Sequence, residues 1–351
     1  SNLMIKSAAP EQLAELPGDS ELVPSDNALL LSRRAVLKQI AGSTVALGVV
    51  GSLAACSSIQ PNAAVTNSSA TNASTTNTSA TNSATGTATA SQLPLKGRIR
   101  HSVARWTYSH LSLPELCQLV QSLGFSAIDL VGPAEWPILK QYGIDCAMCN
   151  GAELNLVDGW CERKNHPELI KRYLQHIDLV ADAGYKNLIC FAGNARGMDK
   201  ETALTNAVSG LQQVLGKAQA RGVVLQMELF NSKVDHPDYL ADSSAFGIEL
   251  CQRLQSEHFK LLFDIYHMQI MEGDIISTIR KHHQYFGHYH TAGVPGRHEI
   301  DDSQELNYPA IAKAILATGY RGYLAQEFMP TPVTVDGKAQ SLAAAIQICD
   351  V

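Results

Sequence analysis

From residue 98 onwards the sequence alternates short apolar runs with longer segments of helical periodicity. This alternation is typical of repeated βα units that build a parallel sheet. Helix starts such as Leu113-Pro-Glu and stops such as Gly222 divide the units. We predict strands at 98–106, 127–132, 145–151, 187–194, 223–230, 259–268, 287–291 and 322–328. The last four helices are predicted at 243–254, 274–286, 308–317 and near 341–349.

Two architectures can be built from such units. A doubly wound open sheet is one, but no G-x-G-x-x-G motif follows the first strand, so its dinucleotide-binding version has no support. The other is a closed (β/α)8 TIM barrel, which typically takes about 250 residues. We therefore expect residues 96–351 to form one α/β barrel domain.

Composition limits the partners of this domain. Hydrophobic residues make up 45% of the 351-residue chain and charged residues 17%, which is typical of a globular protein with a sizeable core. The net charge of −6 argues against a nucleic-acid partner, because phosphates require a basic surface. A small-molecule ligand is favoured. Among the eight cysteines the one C-x-x-C pair, Cys146 and Cys149, lies in an apolar run, so we expect buried thiols rather than a redox pair.

Residues 1–56 have the features of an export segment. Ser32-Arg-Arg-Ala-Val-Leu-Lys38 resembles the twin-arginine signal, with Val36 in place of the usual Phe. An uncharged run at 40–55 follows and ends in Leu53-Ala-Ala-Cys56, which resembles a lipobox. This resemblance implies twin-arginine export and a periplasmic lipoprotein anchored to the membrane only through a lipid on Cys56. An amphiphilic N-terminal helix with a chance arginine pair is the alternative.

Residues 57–95 are rich in Ser, Thr, Asn and Ala, with a loose Thr-Asn repeat. Such a composition has too few large apolar side chains to form a core. We predict a flexible, disordered linker between the export segment and the barrel.

Polar residues stand at the ends of the last four predicted strands. In a barrel, functional side chains collect at the carboxyl ends of the strands. Three carboxylates and one imidazole at this rim suit one divalent cation, with Mn²⁺ or Mg²⁺ preferred and Co²⁺ or Zn²⁺ as alternatives. The four candidates are Glu228, Asp264, His290 and Glu327, and the earlier strands carry Asp129, Asn150 and Asn194 at similar places.

Two segments resemble a known family. His288-Tyr-His-Thr-Ala-Gly-Val-Pro-Gly-Arg-His-Glu-Ile-Asp301 and Glu305-Leu-Asn-Tyr308 are similar to segments of hydroxypyruvate isomerases, which are xylose-isomerase-like barrels. The likeness extends over 98–330 and is specific in its second half. It implies that the four candidates above bind the metal, that Glu228 and Glu327 also transfer protons, and that His267 contacts the substrate.

The same resemblance leaves the substrate open. Many hydroxypyruvate isomerases have Gln where His290 stands, whereas the related ketose 3-epimerases have His. An aldose–ketose or hydroxypyruvate isomerisation through an enediolate is the first interpretation, and a 3-epimerase is the second. A tethered protein that binds a sugar or a metal without turnover is the third. An endonuclease-IV type of DNA repair enzyme is rejected, because strands three and four end in Asn150 and Asn194 rather than in histidine.

Further residues are candidates for the substrate pocket. Arg297 is expected to clamp a carboxylate or phosphate of a small sugar or hydroxy-keto acid, with a surface ion pair as the alternative. His298 and Glu299 are expected to line the pocket or orient its loop. Trp106 is expected either to cover a small substrate or to belong to the core. Asn231 offers a hydrogen-bonding side chain near the rim, and assembly into a homo-oligomer is left open.

Overall fold

The computed structural model describes residues 94–351. The predicted export segment, 1–56, and the predicted linker up to residue 93 lie outside the described residues. Lys96 ties the start of the described part to its end, because its backbone N–H donates to Asp350 Oδ2 at 2.8 Å and its Nζ donates to the Asp350 carbonyl at 2.7 Å.

The described residues form the predicted (β/α)8 TIM barrel. Its eight strands are parallel, hydrogen-bonded in the order β1-β8-β7-β6-β5-β4-β3-β2, and a bridge between Ala104 and Asp129 joins the two ends. The strands are β1 Arg100–Val103, β2 Ala127–Val131, β3 Asp145–Cys149, β4 Asn187–Cys190, β5 Val224–Glu228, β6 Phe259–Asp264, β7 Phe286–Thr291 and β8 Tyr323–Gln326.

Helices connect the strands, and local chemistry fixes their ends. Ser112 and Glu115 form a capping box at the first helix, and Gly222 ends the longest described helix in the left-handed conformation that glycine adopts readily. The helices are α1 Leu113–Ser122, α2 Trp136–Gln141, α3 His166–Asp182, α4 Lys200–Arg221, α5 Ser244–Leu254, α6 Ile265–Met271, α7 Ile275–His282, α8 Tyr308–Ala317 and α9 Val335–Cys349.

Some predicted boundaries were wrong. The sixth strand ends at Asp264 rather than continuing to 268, because the Asp264 side chain accepts the backbone N–H of His267 and caps α6. The first strand ends at Val103, so Trp106 lies on the short 3-10 helix Arg105–Tyr108. The predicted helix at 274–286 ends at residue 282, and the last helix begins at 335 behind the Thr334 cap.

The core fills the barrel and the layer beneath its helices. All seven cysteines of the described part are free and buried. Cys146 and Cys149, for which burial was predicted, have their Sγ atoms 3.5 Å apart. The loop after β3 lies against the end of β4, where a Cβ on Gly159 would come within 2.3 Å of the backbone of Phe191 and Ala192. Between residues 94 and 351, every helix is too short or too polar to cross a membrane.

Candidate metal centre

Four buried side chains from consecutive strands meet at the carboxyl end of the barrel. Glu228 and Asp264 end β5 and β6, His290 is the register partner of Asp264 on β7, and Glu327 directly follows β8. One possible ligand atom from each of the four lies within 4.8 Å of those of the other three. These are the four residues that the sequence analysis named, and they form one cluster.

The imidazole of His290 is at the centre of this cluster. Its Nδ1 lies 3.2 Å from Glu228 Oε1, 3.1 Å from Glu327 Oε2 and 3.9 Å from Asp264 Oδ2. Even so, Glu228 Oε1 and His290 Nδ1 lack a hydrogen-bond partner of regular geometry among residues 94–351. Buried polar atoms without partners are uncommon and call for an explanation such as an ion. Three carboxylate groups and one imidazole nitrogen aimed at a common point fit a divalent cation.

Glu327 is held from two sides. The Trp106 indole N–H donates to Oε1 at 2.8 Å, and an Arg297 terminal nitrogen donates to Oε2 at 2.7 Å. The Arg297 guanidinium lies 5.1 Å from the Trp106 ring centroid and 5.4 Å from that of Tyr266, within range of cation–π attraction. Arg297 therefore pairs with a buried carboxylate and not with a surface acid. Trp106 is 41% exposed, so it is not a core residue.

His267 is fully buried beside the cluster. The Asn231 side-chain amide nitrogen lies 2.7 Å from its Nδ1, and its Nε2 is 3.7 Å from Asp264 Oδ2 without a hydrogen-bond partner in the described part. Burial, followed by the charges of Arg297 and His236, holds the pKa of His267 well below its usual value. A neutral ring that accepts at Nδ1 carries its proton on Nε2, which makes this atom a hydrogen-bond donor.

His298 is placed elsewhere. Its side chain is exposed, its Nδ1 lies 3.0 Å from the Met329 carbonyl oxygen, and it lines a cleft of about 350 Å³ with Glu299. None of the four clustered residues lines that cleft. Glu299 accepts from Thr331 and Ser341, so it orients the loop, which was one of the two roles expected for it.

Asp129 was expected at the rim, and this was wrong. It is fully buried inside the barrel, where its Oδ2 lies 2.5 Å from His288 Nε2 and 3.1 Å from His290 Nε2. Sequence reasoning assigned no role to His288. The available signal was the pair of histidines two residues apart on β7, since alternate residues of a strand point to the same face.

The pKa values of the four clustered residues are shifted in different directions. Burial, and then the charge of Glu327, raises the pKa of Asp264 to about 8 and also raises that of Glu228. Burial opposes ionisation of Glu327 as well, but His290 and Arg297 outweigh it and hold its pKa well below the usual value. Burial lowers the pKa of His290, yet Glu327 and Asp129 outweigh burial and raise it well above the usual value. Neighbouring negative charge contributes to the raised pKa values of Asp264, Glu228 and His290, and a cation would neutralise that charge.

Comparison with known families agrees with this architecture. A family model described as "Xylose isomerase-like TIM barrel" matches residues 117–346, about two thirds of the chain. The chain belongs to the xylose isomerase-like TIM barrel family. The resemblance to hydroxypyruvate isomerases noted in the sequence is confirmed by curated relatives of modest identity that carry isomerase names.

Two relatives are similar to this chain in sequence, and one solved structure is similar in fold. A 2-oxo-tetronate isomerase of Cupriavidus necator is 32% identical over 139 residues, which cover 40% of this chain and 53% of the relative. A Danio rerio protein named "Putative hydroxypyruvate isomerase" is 32% identical over 130 residues, covering 37% and 47%. Each match thus spans about half of the relative's length. An AP endonuclease, family 2, from Brucella melitensis has a TM-score of 0.62 at 22% identity, covering 69% and 98%, and shows the shared fold.

Proposed function

We propose that this protein is a divalent-metal-dependent isomerase of a small hydroxy-carbonyl compound, similar to hydroxypyruvate isomerase. The observation that carries the proposal is the convergence of Glu228, Asp264, His290 and Glu327 within 4.8 Å, with buried atoms that lack partners. The isomerase names of the two relatives support the reaction class. The substrate is a small sugar or hydroxy-keto acid.

The four clustered residues would hold one cation, Mn²⁺ or Mg²⁺ in first place and Co²⁺ or Zn²⁺ as alternatives. When bound, such an ion supplies positive charge that stabilises a negative substrate oxygen. Asp264 serves only as a ligand in this proposal. Its register pairing with His290 fixes the spacing between strands β6 and β7 at the site.

Glu228 and Glu327 would move the proton. The reaction removes a proton next to a carbonyl and returns it to the adjacent carbon, so one carboxylate acts as base and one as acid. Both oxygens of Glu327 already accept hydrogen bonds, from Trp106 and Arg297, whereas Glu228 Oε1 has no hydrogen-bond partner of regular geometry in the described part. We therefore assign the abstraction of the carbon-bound proton to Glu228. Glu327 would take the proton of the neighbouring substrate hydroxyl and deliver it to the adjacent carbon, while the proton on Glu228 would pass to the new hydroxyl oxygen.

Arg297 and His267 would bind the substrate. The Arg297 Nε is buried and has no hydrogen-bond partner among residues 94–351, so it keeps a donor for a substrate carboxylate. His267 Nε2–H is a second free donor, next to Asp264. The half-exposed Trp106 ring would cover the substrate while its N–H holds Glu327. These two donors, one of them on the positive Arg297 side chain, favour a small hydroxy-keto acid over a neutral sugar.

Solvent exchange tests this proposal. The purified barrel is incubated in D₂O with Mn²⁺ and hydroxypyruvate, then with four-carbon 2-oxo acids and a panel of ketoses, and the products are followed by NMR. We expect deuterium to enter the carbon next to the carbonyl and an isomer to accumulate. Binding without exchange would instead support a tethered binding protein. Absence of exchange on every substrate with every metal would refute the isomerase.

A ketose 3-epimerase is the second candidate, favoured by His290 where many hydroxypyruvate isomerases have Gln. The Gly293-Val-Pro-Gly-Arg-His-Glu299 segment opposes it. The same NMR experiment separates the two, because an epimer keeps its carbonyl carbon while an isomer moves it. A single ketose epimer as the sole product would replace the first candidate.

We also propose that the protein is exported by the twin-arginine route and lipidated on Cys56, on the strength of the two sequence signals alone. Metabolic labelling with a fatty acid tests the anchor, with Cys56→Ala as the comparison. Label in the unchanged protein and none in the variant is expected. Equal labelling, or none in either, would reject the anchor.

A further inference from the structure

A chain of buried polar groups crosses the barrel interior behind the candidate metal centre. Asp129 on β2 binds His290 on β7 through Oδ2, although the two residues are 161 positions apart in the sequence. The same oxygen binds His288, and Oδ1 accepts a short hydrogen bond from the Ser102 hydroxyl on β1. All four side chains are fully or almost fully buried. Three strands therefore contribute to one hydrogen-bonded group beneath the rim.

Donor and acceptor roles follow from the chemistry of a carboxylate. An ionised carboxylate can only accept, so the Nε2 atoms of His288 and His290 must both carry the hydrogen. Hydrogen bonds from Ser102, His288 and His290 stabilise the ionised form of Asp129 against the cost of its burial. His290 is consequently left with Nδ1 as its free atom, and Nδ1 faces the three carboxylates of the rim.

A second metal ion at Asp129, His288 and His290 is the competing explanation, because these three residues also offer clustered ligand atoms. Distance decides against it. Neighbouring ligands of an octahedral ion with bonds of about 2.1 Å are separated by about 3 Å. Asp129 Oδ2 and His288 Nε2 are only 2.5 Å apart, which is too close for two ligands of one such ion and corresponds to a short hydrogen bond. Hydrogen bonds therefore account for the contacts of Asp129 with His288 and His290 without a second ion.

We propose that Asp129 is a positioning residue that fixes the tautomer and the ring orientation of His290, so that Nδ1 presents its lone pair to the cation. Ser102 and His288 hold Asp129 in the orientation that this requires. Histidine ligands commonly donate their second ring nitrogen to a carboxylate, and loss of that partner weakens metal affinity by about 10–100-fold. The inference rests on the proposed function, since it needs a cation at the rim.

Calorimetric titration with Mn²⁺ alone tests the inference. Asp129→Asn keeps the shape of the side chain but is neutral and has one accepting oxygen instead of two, so the charge-assisted hydrogen bond to His290 is lost. We expect its Kd to rise by about 10–100-fold. Asp145→Asn is the matched control, because Asp145 is also on a strand but lies half-exposed beside Arg100, and we expect its Kd to stay within about twofold of the unchanged protein.

A second variant and a second readout keep the test decisive. Ser102→Ala removes one donor to Asp129 and is expected to raise the Kd by roughly threefold. If Asp129→Asn does not fold, as judged by circular dichroism, this variant decides. Nitrogen-15 histidine spectra of the Mg²⁺-loaded protein, with His290 assigned through His290→Gln, are expected to show His290 protonated only at Nε2. Asp129→Asn should convert this signal to a mixture of tautomers.

The outcomes separate the two proposals. If the unchanged protein binds no Mn²⁺, the proposed function and this inference both fail. If it binds Mn²⁺ and neither Asp129→Asn nor Ser102→Ala alters the Kd, the inference alone is overturned. Weaker binding with the His290 tautomer unchanged also overturns it, because that result reflects a merely structural residue.

Discussion

The two halves of the barrel contribute differently to the candidate site. Strands β5–β8, the late half, each carry one of the four clustered residues at or directly after their carboxyl ends, whereas strands β1–β4 are the early half. Strands β1–β4 deliver none of them, but residues from this half hold two of the four: Trp106 donates to Glu327, and Asp129 binds His290. One half therefore carries the four clustered residues, and the other half carries the side chains that orient two of them. Changes in the first should affect turnover, and changes in the second should affect stability or geometry.

Glu327→Gln should have the largest effect on turnover. It removes a ligand charge and a proton-transfer group, and loss of such a group typically costs about 10²–10⁴-fold in rate. The fold should persist, because a glutamine carbonyl still accepts from Trp106 or Arg297. Steady-state kinetics with circular dichroism check this. The control is Glu135→Gln, a carboxylate on the early half with no role in the cluster, which should change kcat by less than about twofold. An equal loss of kcat in both variants would contradict the claim that turnover depends on the late half.

Gly159→Ala should show the opposite behaviour. The added Cβ would meet the backbone of Phe191 and Ala192 at 2.3 Å, and backbone cannot move aside as a flexible side chain can. We expect the free energy of unfolding to fall by about 3 kcal/mol, within the range for overpacking. Gly216→Ala is the matched control, because Gly216 lies in α4 and an added Cβ would have open space around it. We expect its free energy of unfolding to rise by about 0.5–1 kcal/mol. Denaturant titration measures both, and a loss in Gly216→Ala similar to that in Gly159→Ala would refute the packing argument.

Metal removal should destabilise the late half in a pH-dependent way. The pKa of Asp264 is about 8 in the folded protein, against 3.8 when unperturbed, so between these values the folded, metal-free chain keeps a proton that the unfolded chain has lost. Stability of the metal-free form therefore falls as pH rises towards 8, and the raised pKa of His290 acts in the same direction. A bound cation replaces these protons.

We expect a chelator to lower the Tm more at about pH 9 than at about pH 6. With Mn²⁺ at 100-fold its Kd, the added stability before chelation is about 2.7 kcal/mol. Thermal unfolding with and without chelator measures the difference. The same chelator effect at both pH values would show that these groups do not exchange protons for the cation.

Trp106→Phe should have the smallest effect. It removes the N–H that holds Glu327 Oε1 but keeps an aromatic ring beside Arg297. Because the residue is 41% exposed, water can replace part of the lost hydrogen bond. We therefore expect kcat/KM to fall by roughly fivefold, which corresponds to a loss of about 1 kcal/mol in transition-state stabilisation. Trp136→Phe is the control, since its N–H binds the Val131 carbonyl in the core. That variant should lower the Tm and leave kcat/KM unchanged, and the reverse pattern would contradict the assignment.

Sequence reasoning recovered the late half well because its signals are local. Glu228, Asp264 and His290 each end or nearly end a recognisable apolar run, and parallel strands bring such ends to one rim. It failed where the end of a strand depends on a side chain. Asp264 stops β6 by capping α6, which the continuous apolar character of 259–268 conceals.

The contributions of the early half could not be read in this way. Trp106 and Glu327 are 221 positions apart, and their hydrogen bond exists only because barrel closure makes β1 and β8 neighbours. Asp129 was expected at the rim because strand ends were judged to within a residue or two. The pairing of β2 with β3 is also irregular, because the register shifts on both sides of Asp129. Such irregularity has no clear signal in one sequence.

Anomalous diffraction from crystals grown with Mn²⁺ tests the central claim most directly. We expect one strong anomalous peak at the rim, at about 2.0–2.3 Å from Glu228, Asp264, His290 Nδ1 and Glu327. No peak among these four residues, or a peak that involves the His290 ring through Nε2, would contradict a single cation shared by the late half of the barrel.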